Sequence, residues 1–245
     1  MPVEKQAIFN IMKPTVLFIS CEHAVNTVPS NYTHLFQQQK TMLDTHRAID
    51  FGALEIATQL SSEFDCNHTT ASVSRLLIDC NRSLNSAHCF SEFTQKLSND
   101  EKKVLIDQYY LPYRKKTETL IQQHIDLRQQ VLHVSCHSFE PVFNGITRNG
   151  GICLLYDPKR HGEKEVAREW HRLLIQQMLP YRVRMNYPYR GQSDSHIRSL
   201  RKKHTQGDYL GFELEINQNL LVDIESTRHV ILVLKKSLEE LLQLL

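Results

Sequence analysis

Two short apolar runs constrain this chain more than any other feature. Val16-Leu-Phe-Ile-Ser-Cys21 and Val131-Leu-His-Val-Ser-Cys136 are near copies, and each delivers a histidine just beyond, His23 and His137. Runs of this length, bounded by polar residues, read as strands buried on both faces. Strands buried on both faces need helices packed on either side, so the expected fold is layered α/β. A polar residue just past the C-terminal end of such a strand lies where open α/β sheets place ligands. If the two strands are neighbours, His23 and His137 converge on one spot. Imidazole is the commonest side-chain ligand of transition metals, so a catalytic metal site is the leading expectation. The competing reading is two separate histidines, each hydrogen-bonded locally.

The remaining pattern alternates strands with helices. Residues 1–14 form a lead-in, and a strand covers 15–20. Ile49, Ala53, Ile56, Ala57 and Leu60 recur at three- and four-residue steps, the mark of an amphipathic helix, with Asp50 at or near its first turn. Residues 69–74 read as a short strand and 83–100 as a polar loop region. Asn99-Asp100 caps a long helix running to about 129, interrupted near Pro112. Further strands are expected at 131–136, 150–156, 181–185 and 210–216. Helices are expected at Glu163–Met178 and Thr227–Leu245, and Asn186–Gly191 carries turn chemistry. The alternation predicts an α/β sandwich with a mostly parallel or mixed sheet, in a single domain spanning 1–245.

Composition excludes several partner classes. A formal net charge of +2 provides no electrostatic footprint for nucleic acid, and the basic run at 198–204 reads as a solvated face. The N-terminus lacks a basic segment followed by an apolar one, and no apolar run approaches the ~20 residues that span a bilayer. Six cysteines form no C-x-x-C pair, and Cys21, Cys136 and Cys153 sit in apolar runs as small hydrophobes. These features predict a reduced, cytoplasmic protein with no membrane partner; they leave the oligomeric state open.

Catalytic zinc usually takes three protein ligands and leaves a position for water. His23 and His137 supply two, while Asp50 and Glu22 compete for the third. Neighbouring residues of an extended segment point opposite ways, which disfavours Glu22 if His23 faces the metal; Asp50 could instead be a helix cap. A base for the attacking water is sought in the strand at 210–216, where Glu213 and Glu215 share a face. The same alternation fits an edge strand with one solvated side. Arg75 and Arg82 flank a Leu-Leu-Ile-Asp-Cys-Asn segment. Each is either paired internally or free to bind a ligand; Asn81-Arg82 could grip a carboxylate, with Asp79 as its obvious internal partner.

Ser20-Cys-Glu-His-Ala-Val-Asn-Thr-Val-Pro29, His46-Arg-Ala-Ile-Asp-Phe-Gly-Ala53, Ser74-Arg-Leu-Leu-Ile-Asp-Cys-Asn-Arg82, His137-Ser-Phe139 and Glu215-Ile-Asn-Gln218 resemble, in order, the blocks of the N-formylglutamate amidohydrolase family. That resemblance implies a three-layer α/β sandwich around a central mixed sheet, similar to the zinc carboxypeptidases. It also implies zinc-dependent hydrolysis of a small N-acyl amino acid; one zinc per chain is expected, on His23, His137 and preferably Asp50, with Glu22 still open as the third ligand. It favours Glu215 over Glu213 as the base and likens Asn81-Arg82 to the pair that grips the substrate carboxylate in the carboxypeptidases. Arg75, by its position at the mouth of the same cleft, is expected to stabilise the oxyanion. Val25 and Ala48 stand where many relatives carry glycine, which suggests a differently shaped loop. Asn217 stands where the formylglutamate enzymes often carry arginine, which removes a partner for an acidic side chain. Two rival readings are a thiol hydrolase using Cys21 or Cys136 and a metal-free binding protein on the same fold.

Overall fold

The computed structural model describes residues 13–177 and 180–245. Most of the expected lead-in, and Met178 at the end of one expected helix, lie outside the described residues. Both apolar runs are strands, β1 (Thr15–Cys21) and β3 (Gln130–Phe139). They pair in parallel, with Val16 opposite Val131 and Ser20 opposite Ser135, so the repeated sequences lie side by side in register.

The sheet also contains β2 (His68–Thr70), β6 (Ile152–Leu155), β7 (Val183–Met185) and β8 (Tyr209–Asn217). Its order is β2-β1-β3-β8-β6-β7. β6 runs antiparallel to β8 while the other pairings are parallel, which makes the sheet mixed. A small hairpin, β4 (Val142–Phe143) and β5 (Ile146–Thr147), stands apart from it. β8 is central and buried along its whole length, so the edge-strand reading of 210–216 is overturned. Its polar alternation faces a covered site and not solvent.

Helices close both faces. On one side α1 (Ala53–Glu63), α4 (His161–Gln176) and α6 (Ile224–Leu244) pack on the odd residues of β1, Leu17, Ile19 and Cys21, and on Leu132, Val134, Phe212 and Leu214. Trp170 is fully buried there, edge-on to Phe212, with its indole N–H donated to Ser237 Oγ at 3.0 Å. On the other side α3 (Leu111–Asp126) and α5 (His196–Arg201) meet Phe18, Val131 and Tyr209. A third apolar cluster joins Tyr32 and Phe36 to Leu77, Ile78, Leu105 and Tyr113.

Several local features differ from expectation. Ser30–Asp44 forms a kinked 3₁₀ segment after Pro29, where no helix was anticipated. α2 (Asn99–Leu105) is capped by Ser98 and not by Asn99-Asp100: the Ser98 N–H donates to Glu101 at 2.8 Å and Ser98 Oγ accepts from the Glu101 N–H at 3.3 Å, a reciprocal capping box. The expected interruption near Pro112 is a π-type turn at Ile106–Tyr110, a wider turn of the kind that relieves the clash between a proline ring and the preceding turn. The basic run is only partly solvated, because Arg201 is buried against Glu163 at 2.9 Å.

Candidate metal centre

Alternation along the three central strands gathers the polar residues on one face of the sheet. Leu132, Val134, Cys136, Leu210, Phe212, Leu214 and Ile216 belong to the core of the first helical layer. The residues between them, including His133, Ser135, His137, Glu213 and Glu215, therefore point the other way. Pairing sets His137 directly beside Glu215 and Ser135 beside Glu213. At the C-terminal end of these strands lies a cavity of about 190 Å³ bordered by His23, Asp50, Arg75, Arg82, His137 and Glu215.

β1 ends at Cys21, and the turn beyond it carries His23 over the strand end. Asp50 arrives from the segment before α1, tied to the same turn by its N–H, which donates to the His23 carbonyl at 3.1 Å. Its carboxylate does not cap that helix; Gly52 is the N-cap residue and no side chain bonds there. Asp50 Oδ2 lies 3.2 Å from His23 Nδ1 and 2.8 Å from His137 Nδ1. The candidate ligand atoms of His23, Asp50 and His137 all fall within 4.8 Å of one another, and all three residues are buried. Two imidazoles and a carboxylate converging with both Nδ1 atoms inward are donors of the type that catalytic zinc takes. The residues present fit that ion.

The outward ring nitrogens are also held. His23 Nε2 meets Asp79 Oδ1 at 3.0 Å, and His137 Nε2 meets Ser135 Oγ at 3.0 Å and Glu22 Oε2 at 3.4 Å. Such partners orient metal-binding histidines. Asp79, read from sequence as the partner of Arg82, thus serves His23; Arg82 Nε is 3.9 Å away from it. Glu22 is buried behind His137, on the side away from Asp50, so it is not placed to be the third ligand.

Burial by itself would raise the carboxyls of this site. Arg75 and His23 nevertheless hold Asp50 well below the usual carboxylate range, and His23 brings Asp79 down to about 2. Glu22 is likewise held low, against its burial, by His137 and His196. Burial opposes charge on His137 too, but Asp50 and Glu22 push its imidazole well above the ordinary value. Glu215 differs: burial, only partly offset by His137 and reinforced by Asp50 and Glu213, pushes its carboxyl up to about 8. Glu215 Oε2 has no hydrogen-bond partner among the described residues, whereas Glu213 Oε1 accepts from Asn81 Nδ2 at 3.4 Å. Of the two carboxylates on this face, Glu215 is the one left free.

The arginines are placed differently from one another. Arg75 donates Nε to the Arg47 carbonyl at 3.0 Å and Nη2 to the His46 carbonyl, while Nη1 lies 3.0 Å from His23 Nδ1. Its Nη2 is also 2.8 Å from Asp50 Oδ1, an ion pair not aligned as a hydrogen bond. Residues 71–82 are turns and not strand, pinned by Ser74 N–H to the Thr27 carbonyl at 2.8 Å and Asp79 N–H to the Cys89 carbonyl at 2.9 Å. Arg82 reaches the cavity wall and donates Nη1 to the Asp194 carbonyl. Asn81 Oδ1 accepts from the His196 N–H at 2.8 Å, which turns its amide nitrogen toward Glu213.

His46, Ser138, Tyr189, Arg190, Ser193 and Asp194 also border the cavity, and sequence reasoning gave none of them a role. Tyr189 and Arg190 lay inside a stretch read only as turn chemistry. Val25 and Ala48 need no glycine, since neither has a positive φ. Asn217 is structural: its Nδ2 donates to the carbonyls of Arg148 at 3.2 Å and Gly150 at 2.9 Å. Cys21 and Cys136 are fully buried on the opposite face of the sheet, and burial raises both thiols, so neither is presented to His137 as a nucleophile.

Comparison with solved structures finds the same fold elsewhere. Gene product Atu2144 from Agrobacterium tumefaciens superposes with a TM-score of 0.78 at 24% identity, over 93% of this chain and 90% of that one. An N-formylglutamate amidohydrolase from Ralstonia eutropha JMP134 gives 0.64 at 18% identity, over 94% and 91%. A search of curated protein sequences finds no match. The profile of the N-formylglutamate amidohydrolase family matches residues 15–222, a span that contains all five sequence blocks and every candidate ligand, and the chain belongs to that family.

Proposed function

We propose that this amidohydrolase is zinc-dependent and removes an N-acyl group, such as formyl, from an amino acid of the N-formylglutamate type. The observation that supports it most is the convergence of His23, Asp50 and His137 beside a buried carboxyl with a free oxygen, Glu215. When bound, the ion would supply a Lewis acid and a lowered pKa for water. Everything else falls to the chain. Glu215 takes the proton from the attacking water and returns it to the leaving nitrogen, so amide plus water gives a carboxylate and a free amine. Arg75, held by two backbone carbonyls with Nη1 beside His23 at the cavity edge, supplies the positive charge that stabilises the oxygen gaining charge during attack. Arg82, helped by Asn81, holds the substrate's α-carboxylate at the cavity wall.

The proposed setting is the reducing cytoplasm, supported by six cysteines that form no disulfide. Among the described residues, no helix is long and apolar enough to cross a membrane. The test is hydrolysis of N-formyl, N-acetyl and N-succinyl amino acids by zinc-loaded and chelator-stripped protein. Zinc-restored turnover of one acyl class supports the reading. Substrate binding without turnover, with or without metal, would replace it with the binding-protein alternative.

A further inference from the structure

Behind His137 lies a buried polar network that the reaction above does not use. Glu22 Oε1 accepts from the Tyr113 hydroxyl at 2.6 Å and from Ser20 Oγ at 2.9 Å, and Glu22 Oε2 accepts from Ser135 Oγ. His133 Nε2 is 2.8 Å from Ser20 Oγ, and its Nδ1 is 2.8 Å from the Tyr209 hydroxyl. Glu22, Ser20, His133 and Ser135 are all at most 1% exposed.

A carboxylate can only accept, and this fixes where each hydrogen lies. Ser20 donates its one hydrogen to Glu22, so it must accept from His133 Nε2–H, and His133 Nδ1 in turn accepts from Tyr209. Ser135 also gives its one hydrogen to Glu22. Across the 3.0 Å contact with His137, the serine oxygen is therefore the acceptor and Nε2–H the donor. Nδ1, 2.8 Å from the Asp50 carboxylate, carries a hydrogen here as well, so with Nε2–H held by Ser135 it is Nδ1 that gives up its hydrogen and offers the lone pair when an ion takes its place between the ring and Asp50.

From this we infer that Glu22, acting through Ser135, is a positioning residue: it fixes the tautomer and ring orientation of His137 so that Nδ1 faces the metal position. The inference rests on the zinc reading above. Glu22 touches neither substrate nor ion; it acts by accepting. Glutamine at position 22 would bring an N–H where the network needs an acceptor. Ser135 could then turn its hydrogen toward Nε2 and favour the wrong tautomer.

The experiment is a competition titration of zinc into wild type, Glu22→Gln and Ser135→Ala, with d–d spectra of the cobalt-loaded forms. Metal-free melting curves followed by circular dichroism report folding separately. Zinc affinity should fall about 10–100-fold in both variants, with a shifted cobalt band, since lost outer partners typically cost that much. If Glu22→Gln fails to fold, Ser135→Ala decides alone. Wild-type affinity and an unchanged cobalt spectrum in the folded variants overturn this inference alone. A wild-type protein that takes up no zinc overturns the metal reading, and this inference with it.

Discussion

Glu215 and Glu213 are two positions apart on one strand face, yet their surroundings separate them. Glu213 has the Asn81 amide, whereas Glu215 keeps an unpartnered oxygen beside His137. Replacing Glu215 by Gln preserves shape and removes the base. kcat should drop by roughly 10²–10⁴ while zinc content by metal analysis stays at the wild-type level. Unchanged kcat would move the role to Glu213 or remove it. Arg82 makes a different forecast, because its proposed contact persists from bound substrate to transition state. Arg82→Ala should raise KM for free N-acyl amino acids roughly tenfold or more, and spare substrates whose α-carboxylate is capped as an amide. Equal effects on both substrates would dissociate Arg82 from carboxylate recognition. His23, His137 and Asp50 were legible from sequence because each sits next to a strong periodic element. Tyr189, Arg190, Ser193 and Asp194 were not, because turn residues reach a cavity only through the tertiary path of the chain.

At the scale of elements, the site depends on how β1 and α1 are joined. Gly52 has φ +77° and follows Asp50 by two residues. A Cβ there would lie 2.7 Å from Leu221 Cδ1, so both backbone and packing favour glycine. Gly52→Ala should therefore lower the melting temperature, by an amount equivalent to about 1–2 kcal/mol from the backbone alone. It should also weaken zinc binding, because the same turn carries Asp50. A variant with wild-type melting and zinc affinity would show that the turn tolerates a side chain. Strand existence was readable from the apolar runs, but strand position was not. The alternation Glu213, Glu215, Asn217 resembles a solvated face, and only the pairing of β8 between β3 and β6 turns it inward. The 3₁₀ segment at Ser30–Asp44 escaped notice since its buried residues, Tyr32 and Phe36, are too few to set a helical period.

For the whole molecule, one sheet face is apolar under α1, α4 and α6, and the other joins a small apolar cluster under α3 and α5 to a buried polar layer. The polar layer carries a cost that pH can expose. His133 is fully buried, and burial, partly opposed by Glu22, pushes its imidazole down from 6.5 to about 3. In the unfolded chain the same ring takes a proton near 6.5; in the folded chain it stays neutral until about 3. The unfolded state therefore binds more protons throughout that window, and stability is lost as pH falls from about 6.5 toward 3, at about 1.4 kcal/mol per pH unit for one group. Other groups titrate in the same range with mixed signs, Glu215 among them, so the contribution is best read as a difference. His133→Gln should be less stable than wild type at pH 7, by about 1–3 kcal/mol, for the hydrogen bonds to Ser20 and Tyr209 that it disturbs. Glutamine does not titrate, so the gap between the two proteins should narrow steadily between pH 6.5 and 4, and close or reverse at the acid end. Denaturant melts of both metal-free proteins at half-unit steps measure it. A gap that stays constant across the window would mean that His133 is already protonated in the fold, and the hydrogen directions assigned to the buried network would fall with it.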